Sequence, residues 1–173
     1  ATCDDACGET FDKVAKILEL GYPGGPLIEQ IAKKGNPRKI KFGCSNTNNP
    51  LDFSFSGIKT AVLYKAADRR PQTVDKKEDI AASFQETAID VLIKKSFLAC
   101  KYKKVKRLAV GGGVIANARL REKFLARAKE NKITCFFPAK QFCTDNAAMV
   151  AGLGYKLFKK GYVSDLFLSA DLS

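Results

Sequence analysis

The residues best placed to do chemistry lie between Lys106 and Arg119, KRLAVGGGVIANAR, where the apolar run Leu108, Ala109, Val110 stops at Gly111, Gly112 and Gly113. Glycine lacks a Cβ and lets the backbone approach a ligand closely. The helix-forming segment that follows, running from Ala116 to Asn131, offers unpaired N–H groups at its start. Strand, glycine turn and helix in this order make either a phosphate site or a tight strand-to-helix turn. The spacing is not that of a GxGxxG fingerprint, nor of a P-loop, which needs Lys and Ser/Thr after its last glycine.

Several side chains could share such a site. Asp12 stands beside Phe11 but off the apolar stripe of its helix, so it points to water or into a cleft. Gly25, in the turn GYPGGP, serves a ligand or a bend, and Glu29 falls one helical turn later, close enough to share a site with Asp12. In CTDNAAM, Thr144, Asp145 and Asn146 can each cap the following helix. A hard cation beside nucleotide phosphates would also want a carboxylate such as Asp145. Nucleophilic thiol catalysis finds no support, because the six cysteines have no histidine partner, and a zinc site finds none either, with no CxxC spacing, no histidine and no HExxH. Cys3 and Cys7 could share a helix face as a soft-metal pair, but the cysteines read better as reduced cytosolic thiols acting as small core residues.

The elements that must position these residues follow from periodicity. Residues 3 to 20 place Phe11, Val14, Ala15 and Leu18 at helical spacing, with Asp4, Asp5 and Glu9 in the early turns where the macrodipole favours acids. Gly24 and Gly25 permit positive φ at the corner, and Pro26 opens a second helix that Gly35 stops. Arg38 to Phe42 alternates as a strand, Phe53 and Phe55 as a half-buried extended segment, and a helix begins near Ile58. A polar connection centred on Pro71 leads to a long amphipathic helix from Glu78 to about Tyr102, expected to pack along the sheet. Ile133 to Pro138 reads as a second buried strand. The last helix runs to about Lys160, with Ala148, Gly152 and Tyr155 on a stripe suited to close packing.

A chain of 173 residues with 46% hydrophobic residues supports one globular domain with a real core, and no apolar run is long enough to span a bilayer. It starts at Ala1 rather than Met, inside what reads as a helix, and is expected to be a fragment of a longer protein. Thirty Lys and Arg against eighteen Asp and Glu leave +12, with clusters at Lys33 to Lys41 and Lys101 to Arg107; these are solvated faces or the footprint of a nucleic acid.

Five motifs in order, DDACGETFDKVAKILELGYPGGP, DFSFSGIKTAV, DIAASFQE, AVGGGVIANARLRE and CTDNAAM, resemble the C-terminal part of the TsaD (Gcp) family of tRNA threonylcarbamoyladenosine transferases. The resemblance implies an α/β chain of the ASKHA fold (actin-like ATPase, sugar kinase, Hsp70), in which two lobes of RNase H-like topology close over a nucleotide. This chain would be the single C-terminal lobe over 1–173, with 1–105 mainly helical and 106–173 α/β. The implied reaction moves a threonylcarbamoyl group from its adenylate to the adenosine following the anticodon in tRNAs reading codons that begin with A. On the matching positions, Asp12, Gly25, Glu29 (where many relatives have Asp) and Asn117 would bind ligand, Gly111, Gly112 and Gly113 would approach phosphate, and Asp145 would bind metal.

Implied cofactors are one divalent metal ion, iron or else Zn or Mg, and threonylcarbamoyl-AMP or ATP/ADP. Implied partners are tRNA, TsaB and TsaE-type proteins and an N-terminal lobe carrying an HxxxH metal motif, in the cytoplasm and away from membranes. That lobe's histidines are not in this sequence. Two other readings stand beside this one: a metalloprotease, after the family's sialoglycoprotein endopeptidase label, and a non-catalytic nucleotide- or RNA-binding module.

Overall fold

The computed structural model describes residues 1–44, 47–68, 75–165, 167 and 169. In chain order it contains α1 (Cys7–Ile17), α2 (Gly24–Ala32), α3 (Ser56–Ala67), α4 (Lys77–Lys103), β1 (Arg107–Ala109), a 3₁₀ turn (Gly113–Ala116), α5 (Ala118–Asn131), β2 (Thr134–Phe136), a second 3₁₀ turn (Lys140–Phe142) and α6 (Ala147–Lys159). The architecture is mixed: a helical assembly joined to a small parallel sheet in which Arg107, Leu108 and Ala109 pair with Thr134, Cys135 and Phe136.

Two apolar cores share α4. The first gathers Phe11, Val14 and Leu18 of α1, Ile28 of α2, Ile58 and Val62 of α3 and Phe84 of α4. Phe11 meets Phe84 edge-on with centroids 4.9 Å apart. The second joins Ile89, Ile93 and Phe97 of α4 to Leu120, Phe124 and Ala128 of α5, the i, i+4, i+8 stripe that a helix offers to one neighbour. α4 therefore packs on α2, α3 and α5 rather than along a sheet as expected.

Both helices that precede a strand end in the left-handed conformation at a lysine, Lys104 (φ 52°) after α4 and Lys132 (φ 54°) after α5. The two strands that follow run in the same sense. Their pairing sends the glycine turn after β1 and the loop after β2 out from one edge of the sheet, where open α/β sheets present ligand sites.

Tertiary contacts override several local expectations. The first helix begins at Cys7, not residue 3, because Asp4 is drawn away to accept from Ser54 Oγ (2.5 Å), Ser56 Oγ (2.6 Å) and Phe55 N–H (2.8 Å) at the start of α3. Asp5 pairs with Lys13 and Lys59. Residues 1–3 are extended, with Thr2 bridging Phe53, so Cys3 lies outside the helix that holds Cys7. No strand forms over 38–42: Ile40 N–H donates to Ser83 Oγ on α4, and Ile40 and Phe42 pack against the first core.

The corner before α2 takes its positive φ at Gly21 (105°), whereas Gly24 and Gly25 are already helical. Gly24 is needed for space, since a Cβ there would sit 2.6 Å from Asp12 Cα and 2.7 Å from Ala15 Cβ. The expected strand at Ile133 to Pro138 forms over Thr134–Phe136 but is not buried, with only Cys135 partly covered. The connection centred on Pro71 falls on 69–74, outside the described residues. α6 forms, yet buries none of its residues; Met149, Val150, Leu153 and Phe158 are exposed, and the expected close packing is not made within the described chain. No helix among the described residues is long and apolar enough to cross a membrane.

Candidate functional site

A cavity of about 690 Å³ opens where the two cores meet. It is walled by four separate segments: Gly8 to Asp12 on α1, Pro23 to Glu29 on α2, Gly113 to Asn117 after β1, and Thr144 before α6. Asp12, Gly25, Glu29, Gly113 and Asn117, singled out above, all line it. Gly111 and Gly112 lie in the turn just before this wall, and exposed Asp145 follows Thr144 in the chain without lining the cavity.

Two helix starts face the cavity, and a carboxylate meets each. Asp12 Oδ1 accepts the Gly24 N–H at 2.7 Å, at the first residue of α2. Glu29 Oε1 accepts the Ala118 N–H at 3.0 Å, at the first residue of α5. These orphan donors carry the positive end of the helix dipole, so the acids are held in place by the backbone, and their remaining oxygens are free to accept from a ligand. Asp12, left between water and a cleft by sequence, borders the cleft. Two carboxylates lining one cavity suit a donor-rich group such as a vicinal diol.

Asn117 is built in more firmly than its neighbours. It is the N-cap of α5, its Oδ1 accepting Leu120 N–H at 3.0 Å while Nδ2 donates to Gln85 Oε1 at 2.8 Å, and it is 8% exposed. The two bonds assign the amide orientation, because the oxygen must face the helix start and the nitrogen Gln85. Asn117 is thus a cap whose side chain also edges the cavity.

The glycines divide by role. At Gly112 φ is 94°, a conformation that side chains resist, and a Cβ on Gly111, Gly112 or Gly25 would meet nothing within 4 Å. Gly112 shapes the turn; Gly111 and Gly25 leave open space that a side chain would take.

Two residues that sequence reading passed over support this wall. Gln85, 7% exposed, is a polar residue in the middle of α4's buried face, and that mismatch with the apolar stripe was the available signal. Arg121 donates to Ile115 O (2.6 Å) and Pro138 O (2.7 Å), stacks over Phe137, and contacts Cys143 Sγ at 3.1 Å. It ties the glycine turn to the loop that carries Thr144 and Asp145. Nothing in the local pattern distinguishes Arg121 from a solvated helix arginine.

No cysteine among the described residues lines this cavity. Burial pushes the Cys7 thiol up to about 12, which leaves it protonated and a poor nucleophile.

The model of the family described as TsaD, tRNA N6-adenosine threonylcarbamoyltransferase, matches residues 1–152. The chain belongs to this family. Curated relatives with that description include proteins from Thermotoga neapolitana, 48% identical over 171 residues, and Thermosipho africanus, 49% identical over 170 residues; each alignment covers 98% of this chain and 51% of the relative. A protein from Dictyoglomus turgidum is 47% identical over 171 residues with the same coverage. The chain spans about half the length of the curated TsaD relatives it matches.

The metal implied for the TsaD family can be tested against the donors present. Among the described residues, no three His, Cys, Asp or Glu side chains converge on a common point. Asp145 is exposed and stands one residue before Asn146, which caps α6 by accepting Met149 N–H at 2.9 Å. The cap that three residues competed for is Asn146, and Asp145 is left free of that duty. The described residues do not make a metal centre by themselves.

Proposed function

We propose that this chain is the nucleotide-binding C-terminal lobe of a tRNA N6-adenosine threonylcarbamoyltransferase of the ASKHA fold, acting in the cytoplasm. The observation that carries the reading is the convergence of Asp12, Gly25, Glu29, Gly113 and Asn117, from segments up to about a hundred residues apart, on one cavity beside a glycine turn and a helix start. Asp12 and Glu29 would accept hydrogen bonds from the ribose hydroxyls of threonylcarbamoyl-AMP or ATP/ADP, with Gly25 leaving room for the nucleoside. Gly111 to Gly113 would let backbone N–H groups approach the phosphate.

In the reaction, the exocyclic amine of the tRNA adenosine attacks the carbamoyl carbon of the mixed carbamic–phosphoric anhydride. A C–N bond forms, the bond from that carbon to the phosphate oxygen breaks, AMP leaves with the electron pair, and the amine loses a proton. What this chain supplies is position: a held adenylate brings the electrophile to the amine in fixed geometry.

A second lobe, the part of the TsaD relatives that this chain does not span, would complete the site and cover the apolar face of α6. Burying a side chain such as Leu153 or Phe158 is worth about 1.5–3 kcal/mol, which makes that face a natural seat. Asp145 would then be one ligand of a divalent ion, iron or else Zn or Mg, whose remaining ligands come from that lobe; the bound ion would supply charge stabilisation on phosphate. TsaB and TsaE-type proteins would be partners of the assembled enzyme.

The test is nucleoside analysis of tRNA incubated with the full-length protein and threonylcarbamoyl-AMP. Gly25→Leu fills open space rather than a packed contact, so the expected outcome is an unchanged melting temperature with modification reduced more than tenfold. Full activity in the folded variant would overturn the assignment of this cavity.

A further inference from the structure

Three grooves and the cavity are linked in series by shared lining residues. The first shares Glu29 with the cavity and passes between Lys33 and Arg119. A second shares Pro37 and Glu86 with the first and passes Arg38 and Lys41. The third, about 960 Å³, shares Asp90, Lys94 and Lys123 with the second and ends between the C-terminus of α4 and Lys106 at the head of β1. From Gln85 to Lys101 this path follows α4 for about 24 Å at roughly 1.5 Å per residue.

The charges along the furrow are not balanced. Its five carboxylates are all engaged: Glu29 by the start of α5, Glu86 by Arg119 and Lys123, Asp90 by Lys123, Glu122 by Arg119, and Glu130 by Arg127. The Glu86 carboxyl shows the strength of this engagement. Burial acts to raise its pKa, yet hydrogen bonds from Arg119 and Lys123 bring it below the ordinary value.

Other cations have no carboxylate partner among the described residues. Near the cavity these are Lys33, Arg38 and Lys41. Farther along come Lys94, Lys101, Lys104 and Lys106, of which the last three ring the far end of the furrow and are exposed. Uncompensated positive charge spread along a groove raises the local concentration of a polyanion and orients it.

We propose that this furrow is the track of the tRNA backbone, with the phosphates next to the target adenosine meeting Lys33, Arg38 and Lys41, and the following stem meeting Lys101, Lys104 and Lys106. The inference rests on the reading of the chain as part of a tRNA-modifying enzyme. Two observations favour RNA over an acidic protein. The furrow and the candidate nucleotide cavity share Glu29, so a molecule that places a nucleotide in that cavity would lay its charged backbone beside Lys33, Arg38 and Lys41. The furrow's length of about 24 Å spans several consecutive phosphates of one strand.

The experiment uses the full-length protein and an unmodified tRNA transcript with adenosine 3′ of its anticodon. Affinity is measured by fluorescence anisotropy between about 50 and 200 mM salt, for the wild type and for Lys101→Ala/Lys104→Ala/Lys106→Ala, none of which lines the cavity. Each lost phosphate contact removes about 0.7–0.9 from the slope of log affinity against log salt. The variant is expected to lose about 2–3 from that slope and at least tenfold in affinity at low salt, while its binding of a short anticodon-loop oligonucleotide is unchanged. Lys104→Glu alone serves if the triple variant melts early. A slope equal to wild type overturns the track, as does an unchanged slope accompanied by lost capture of an acidic partner protein. Wild-type protein that neither binds nor modifies tRNA overturns the proposed function as well, whereas wild-type modification with an insensitive variant overturns the track alone.

Discussion

Removing the Asn117 side chain should cost more than a helix cap, and adding a second mutation should give part of that stability back. Asn117→Ala deletes the acceptor for Leu120 N–H, worth about 1 kcal/mol at an N-cap. It also strands the buried Gln85 Oε1, whose partner is Asn117 Nδ2 at 2.8 Å; an unsatisfied buried acceptor costs about 1–3 kcal/mol. The expected total is about 2–4 kcal/mol. Gln85→Leu alone strands Asn117 Nδ2 and should cost a similar 1–3 kcal/mol, roughly. In the double variant neither polar group remains to be orphaned, so about 1–2 kcal/mol should be lost, chiefly the cap. The double variant is therefore expected to be more stable than Asn117→Ala by about 1–2 kcal/mol, a coupling of the kind that contacting residues show. Urea denaturation of the full-length protein followed by far-UV circular dichroism measures all four corners of the cycle. Additive losses, with the double variant the least stable of the four, would refute the claim that Gln85 and Asn117 form one buried unit.

Gly24→Ala places a Cβ against the backbone of α1 and should destabilise by about 1–3 kcal/mol through overpacking, whereas Gly25→Ala faces open space and should leave stability equal or raised by up to about 1 kcal/mol; equal melting temperatures for the two would contradict the packing described. Burial acts to raise the Asp4 pKa, but hydrogen bonds from Ser54, Ser56 and Phe55 outweigh it and hold the carboxyl at about 2, below its ordinary 3.8. A lowered folded-state pKa gives stability that is present above pH 3.8 and is lost as pH falls towards 2. Asp4→Asn should therefore flatten the acid limb of a stability–pH curve over that window, and an unchanged limb would count against the Asp4 contacts. Asp145→Asn in the full-length protein should fold normally, since Asn146 is the cap, and lose most bound metal by elemental analysis; retained metal would remove Asp145 from the proposed ligand set.

The long helix, the glycine turn and the helices around Phe11 and Phe124 were legible because their signals are local: apolar residues at helical spacing, a run of glycines, small polar residues before a helix. The order of five motifs was likewise sufficient to place the chain in the TsaD family, since motif order is a property of the chain and needs no coordinates.

What the sequence could not contain is which distant donor each polar group would choose. Asp4 has the right position for a first helical turn, but the hydroxyls and N–H of Ser54, Phe55 and Ser56 offer it three hydrogen bonds, so the helix starts later. Residues 38–42 alternate like a strand, yet no strand among the described residues pairs with them, and the Ser83 hydroxyl takes the Ile40 N–H instead. The same logic assembles the candidate site. Asp12 reaches Gly24, Glu29 reaches Ala118, and Asn117 reaches Gln85 only after α1, α2, α4 and α5 have packed. Periodicity reports which face of an element is buried, because that depends on neighbours three or four residues away. Hydrogen-bond partners and cavities depend on where whole elements come to rest, and only the tertiary structure decides that.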